Sequence, residues 1–185
     1  MKGLLMSDYK LKNIQEGDET LLRFGVFLVI IDPQEIPPHL SLMIHGKLFS
    51  LDTKGPSIYR DLSILLRRAF QYQKQLLFVE LKMKDIIVYE DLQQQIAAII
   101  TAYGKAEAGK ITCLAPLKDF CAEIYGISLQ QINFIFELLP QLEQNDLLSN
   151  IYHINMQREL KAVQDFKLAT YSMFEINERI HQLSN

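Results

Sequence analysis

A cysteine just ahead of a helix-forming segment is one of the few side chains in this 185-residue chain that are placed to do chemistry. Cys113 follows Thr112, a candidate N-cap, and precedes Pro116, which a first helical turn tolerates because no amide hydrogen is needed there. Leu117, Phe120, Cys121 and Ile124 recur at i, i+3, i+4 and i+7, so the spacing predicts a helix over 114–125 that Gly126 ends. The N-terminus of a helix carries partial positive charge, which favours thiolate over thiol. Cys113 is thus placed like an activated nucleophile, the competing reading being a small buried hydrophobe. Cys121 sits mid-helix on the apolar stripe and reads as core.

A thiol nucleophile needs a base, and His39 is the candidate. It opens an alternating segment, 39–44, directly after Pro37-Pro38. Leu40, Leu42 and Ile44 fall on one face, and His39, Ser41 and Met43 on the other. His45-Gly46 fits a two-residue hairpin turn, with 47–52 as the returning strand. Counting back from that turn along both strands puts His39 opposite Asp52 and Ser41 opposite Ser50. Opposed residues share a face with Cβ atoms ~5 Å apart, and an Asp beside a His fixes its tautomer and favours its charged form. A turn one residue longer or shorter brings Ser50 or Thr53 to His39 instead. The bland alternative is a half-exposed imidazole beside a solvated carboxylate.

The elements that must position these groups follow from periodicity and punctuation. Residues 24–31 are rich in Val, Ile and Phe and read as a buried strand, broken by Asp32-Pro33. Lys54-Gly55-Pro56 reads as a turn, 57–71 as a helix, 76–83 as a strand and 89–103 as a helix. Beyond 126, Pro140 is the only proline or glycine. That shift divides an α+β part, 1–126, from a C-terminal helical extension, 127–185. Helices are expected over 128–139, 141–149 and 156–183, the last about 27 residues and ~40 Å long. Its continuous apolar stripe must be covered, by the core or by a second copy of the chain in a homodimer.

Composition narrows the function classes. Hydrophobic residues make up 49% of the chain, too many for a disordered protein and enough for one real core. A net charge of -3 offers no bulk attraction to nucleic acid. Two cysteines cannot build a disulfide scaffold, and no zinc-like Cys or His spacing occurs, so no metal is expected. No phosphate-loop or dinucleotide fingerprint is present, and no cofactor is expected. No apolar run reaches the ~18 residues of a membrane span, and 1–12 carries Asp8 without a sustained apolar stretch. A cytoplasmic protein is the default expectation.

The order of these pieces resembles the circularly permuted branch of the NlpC-type papain-like superfamily, which includes YiiX-type bacterial proteins and lecithin:retinol acyltransferase relatives. The matching stretches are Gly17-Asp18 with Leu21-Leu22-Arg23-Phe24, then Pro38-His39-Leu40-Ser41-Leu42-Met43-Ile44-His45-Gly46, then 76–103, then Thr112-Cys113 and its helix. Ser41 stands where glycine is usual there, and Glu19-Thr20 follow Gly-Asp. The resemblance covers roughly 15–126. It implies a mostly antiparallel sheet with packed helices. It also implies Cys113 as nucleophile, His39 as general base and Asp52, or Ser50 in its stead, as the orienting group. The reaction would be hydrolysis or acyl transfer on a peptide, amide or lipid-ester substrate through a thioester. A papain-like binding module without chemistry, and an interaction protein working through its C-terminal helices, are the competing readings.

Overall fold

The strand β3 (Val26–Ile31) is buried along nearly its whole length because the sheet it centres is covered on both faces. In the computed structural model, which describes residues 9–83, 88–160 and 164–184, the chain begins with β1 (Lys10–Leu11), β2 (Gln15–Glu16) and α1 (Glu19–Leu22) before reaching β3. Next come β4 (His39–Ile44), β5 (Lys47–Asp52), β6 (Gly55–Asp61), α2 (Leu62–Tyr72) and β7 (Leu76–Leu81). Then follow α3 (Tyr89–Tyr103), α4 (Leu114–Tyr125), α5 (Ile135–Gln144) and β8 (Leu148–Ile154). The order closes with α6 (Gln157–Leu160), β9 (Phe166–Lys167) and α7 (Met173–Ser184).

The main sheet has seven strands in the order β2-β8-β7-β3-β4-β5-β6, antiparallel except where β2 meets β8, and β1 pairs with β9 in a small second sheet. This is an α+β fold with a mostly antiparallel sheet, as expected. Alternation sorts the strands onto two cores. Leu28, Ile30, Leu40, Leu42, Phe49 and Leu51 face α3, α4 and α5. Phe27, Val29, Met43 and Leu48 face α2 through Leu62, Leu66 and Ala69.

The β4–β5 hairpin turns at His45-Gly46, with φ of 47° and 72°, the paired positive values of a tight primed turn. Its register is the expected one: Ile44 pairs with Lys47, Met43 with Leu48 and Leu42 with Phe49. Pairing between the two strands stops there, while β4 continues against β3 as far as His39 opposite Ile31. The sheet is therefore closed at the turn end of β4 and parted at the His39 end.

Three expectations need correction. The segment 57–71 is not one helix, since β6 occupies its first part and α2 starts at Leu62. Asp61 caps α2, its carboxylate accepting the Ser63 N–H at 3.0 Å, and this cap decides the boundary. Pro140 lies inside α5 rather than between two helices. That helix starts later than expected, where the Glu137 carboxylate accepts the N–H groups of Asn133 (2.9 Å) and Phe134 (3.2 Å).

The third correction concerns the tail. No 27-residue helix runs over 156–183. Its ends are α6 and α7, with β9 between them, and 161–163 lie outside the described residues, as do 1–8. The stretch beyond 126 does carry α5, α6 and α7, yet it also supplies β8, inserted between β2 and β7. Leu160, Leu168, Tyr171, Ile176 and Ile180 lie in the chain's own main core, the first of the two covers expected for the apolar stripe. Among the described residues no helix is long and apolar enough to cross a membrane.

Candidate functional site

A cavity of about 310 Å³ opens where β4 and β5 part. His39, Asp52 and Cys113 all line it, although they come from a strand start, a strand end and a helix start far apart in the chain. Ser50 does not line it. That residue is paired with Ser57, two pairs deeper than Asp52 in the β5–β6 ladder.

His39 and Asp52 lie on one face of the sheet. Met43 and Leu48, each four residues away along the same strand, both belong to the α2-side core. Burial holds the imidazole below its ordinary value; the Asp52 carboxylate pulls it up, and the charges of Arg60 and Lys74 push it down again. His39 is thus neutral near pH 7, the form that accepts a proton. The Asp52 carboxylate is itself fixed, accepting the Lys54 N–H at 2.8 Å. The backbone carbonyl of Asp52 accepts the Ala106 N–H at 2.9 Å, which ties β5 to the loop leading to Cys113.

Cys113, not Thr112, is the residue that starts α4, and its side chain makes no cap hydrogen bond. Its thiol is packed against the α4-side core. The expectation that the helix start depresses its pKa is corrected by this packing: burial pushes the thiol up and outweighs the N–H groups of Leu40, Cys113 and Leu114 that favour the thiolate. The Leu40 N–H is available because the β4–β5 ladder has ended. Continued pairing would have directed it to Leu51. The sulfur therefore occupies the gap between the parted strands, held by the amide of the residue next to His39. Thiol and imidazole face the same cavity, and no hydrogen bond joins them.

Late parts of the chain complete the cavity. Ile176 and Ile180 of α7 and the ring of Tyr171 form its far wall. Tyr171 packs edge-on against Phe134 and Phe136, at ring distances of 5.6 and 5.2 Å. Its phenol is pushed up by burial and then by Cys113, which places it beside the thiol. Three contacts tether α7 over the opening. Arg179 donates to Glu35 at 2.6 Å, the Thr53 hydroxyl donates to the Leu183 carbonyl at 3.2 Å, and the Gly109 N–H donates to Asn177 Oδ1 at 2.7 Å.

Sequence reasoning missed Tyr171 as a cavity residue, and it missed α7 as a wall. The aromatic spacing around Phe134 and Phe136 was a packing signal, and nothing local tied it to Cys113. Gly17-Asp18, matched to the family's motif, has a structural task here. Asp18 caps α1, its carboxylate accepting the Leu21 N–H at 2.9 Å. Among the described residues no group of three or more His, Cys, Asp or Glu side chains is arranged to hold a metal ion. The chain matches no protein-family model, and neither a curated protein nor a solved structure matches it.

Proposed function

We propose that the cavity is the site of a cysteine hydrolase or acyltransferase of the permuted papain-like kind, acting on an amide or ester. The observation that carries this is the convergence of a thiol at a helix start, an imidazole and the carboxylate acting on that imidazole on one cavity. Cys113 attacks the acyl carbon and forms the S–C bond as its proton passes to His39. The C–N or C–O bond then breaks, and His39 returns the proton to the leaving amine or alcohol. Water or an acceptor hydroxyl attacks the thioester with His39 again taking the proton, and the sulfur leaves and is reprotonated. Asp52 steadies the imidazolium in between. For the first step the imidazole must approach the sulfur to hydrogen-bond distance, so substrate entry has to bring the two together.

A second reading, a binding module without chemistry, is favoured by one observation: burial keeps the Cys113 thiol protonated and no hydrogen bond links it to His39. Release of nitrophenolate from p-nitrophenyl esters separates the two. The catalytic reading expects Cys113→Ala to abolish release, with intact-mass spectra showing an acyl adduct on the unaltered chain only. It expects His39→Ala to slow release by roughly 100-fold or more. Release by Cys113→Ala at the unaltered rate would sink it and leave the binding module.

A further inference from the structure

On the α2 side of the sheet a second recess, about 360 Å³, adjoins the Cys113 cavity. Ile31 and Lys74 line both, so the two share a wall. Arg60 from β6, Arg68 from α2, Lys74 and Tyr72 surround this recess, over a floor that includes Leu65, and no acidic side chain lines it. Such a concentration of positive charge is unexpected in a chain of net charge -3. Lys74 is held in place from two directions. Its ammonium pairs with Asp32, and the Asn155 side-chain amide donates to its carbonyl at 2.9 Å. Among the described residues neither the Arg60 nor the Arg68 guanidinium has a hydrogen-bond or ion-pair partner. Two guanidinium groups without a carboxylate, beside a fixed ammonium, present the planar donors that bind oxyanions in pairs.

We propose that this recess is an oxyanion subsite for the ligand of the Cys113 cavity, taking a phosphate or carboxylate group on Arg60, Arg68 and Lys74. The inference rests on the reading of that cavity as the reacting site. The ligand would pass over Ile31, with its reactive carbonyl at Cys113 and its anionic group outside. The arrangement has a consequence for the base. The charged groups acting on His39 are Asp52, Arg60 and Lys74, and two of these three hold it down. An anion seated on Arg60 and Lys74 offsets their charge, so His39 becomes more basic when the ligand arrives.

The test titrates hexyl phosphate, hexanoate and hexanol into the full chain by calorimetry, with the His39 titration followed by NMR. Both anions should bind roughly 10-fold or more tightly than hexanol. Their affinity should fall as salt rises from about 50 to about 500 mM, because the three cations are exposed to solvent. Tighter binding of hexyl phosphate than of hexanoate assigns the subsite to phosphate, and the reverse order assigns it to carboxylate. The double variant R60Q/R68Q, which spares the Lys74–Asp32 pair, should weaken both anions about 5-fold or more and leave hexanol binding and thermal stability unchanged. Bound hexyl phosphate should raise the His39 pKa in the unaltered chain and not in the double variant. Hexanol binding as tightly as the anions, or unaltered anion binding by R60Q/R68Q, overturns the subsite. Cys113→Ala separates this from the catalytic reading. Anion binding that persists while ester release proves independent of Cys113 leaves the subsite standing and removes only the chemistry.

Discussion

Strand β4 carries a histidine near each end, and the two have opposite surroundings. His45 lies in the closing turn. Its ring stacks on Tyr89 at 4.7 Å and meets Phe24 edge-on at 5.3 Å, and its Nδ1 is buried without a partner. His39 lies where the ladder has parted, on a cavity, with a carboxylate acting on it. The same residue type on the same strand is packing material at one end and a candidate base at the other. The difference comes from the partner strand. Where β5 stays paired, backbone groups and side chains fill the space; where it leaves, an amide, a thiol and a cavity take its place.

The largest expected effect that bears on this contrast is in the paired part. Phe49 is 0% exposed at the last ladder pair, so Phe49→Ala should cost ~3–5 kcal/mol in urea unfolding. Asp52→Ala, beyond the parting, should cost only about 1 kcal/mol, the worth of its bond to the Lys54 amide. Equal costs would mean that the parted end is as structural as the closed one.

The two cysteines of the α4 region sharpen the contrast next. Cys113 faces the cavity, while Cys121 is fully buried and pushed up to about 12. Iodoacetamide should modify Cys113 roughly 100-fold faster, which corresponds to about 2.7 kcal/mol. Because burial raises the Cys113 thiol, its labelling rate should keep climbing above the pH at which an ordinary cysteine levels off. Equally slow modification of both, read by peptide mass spectrometry, would place Cys113 in the core with its neighbour.

A smaller effect is expected at the turn. Gly46 has φ of 72°, so Gly46→Val should cost ~1–2 kcal/mol in thermal unfolding. No loss there would mean that the turn does not set the register. The smallest effect is on pH dependence. The folded-state pKa of His39 is lowered, so the unfolded chain binds more protons as pH falls below the unfolded value. Stability should therefore drop between that value and the lower folded one, then level off. His39→Gln should flatten part of this slope, and His153, also lowered by burial, should keep its share. An unchanged slope between pH 7 and pH 5 would show that His39 does not titrate differently on folding.

Local pattern carried much of this architecture. The bounds of α3 and α4, the His45-Gly46 turn and the β4–β5 register were all readable, because each rests on periodicity or turn chemistry within a few residues. The shared face of His39 and Asp52 follows from that register. What sequence did not show depends on distant partners. The segment 57–71 carries a helix-like apolar spacing at Ile58, Leu62 and Leu65, and only pairing with β5 and the Asp61 cap divide β6 from α2. Leu148 and Ser149, the first residues of β8, read as a helix end, and only the ladder that β7 offers makes them strand. The raised Cys113 thiol was likewise illegible, since a helix start is visible in sequence and the burial around it is not.

The insertion of β8 between β2 and β7 also bears on the order in which the molecule assembles. Hairpins such as β4–β5 close short loops, whereas β2 at Gln15–Glu16 must meet a strand at Tyr152–His153. Ladders between such distant segments form slowly, because the chain entropy of the long loop is lost before any contact offsets it. Until β8 docks, one edge of β7 stands open with its hydrogen-bonding groups unmatched, the kind of edge on which chains pair with one another. Refolding at rising protein concentration should lose yield through that open edge.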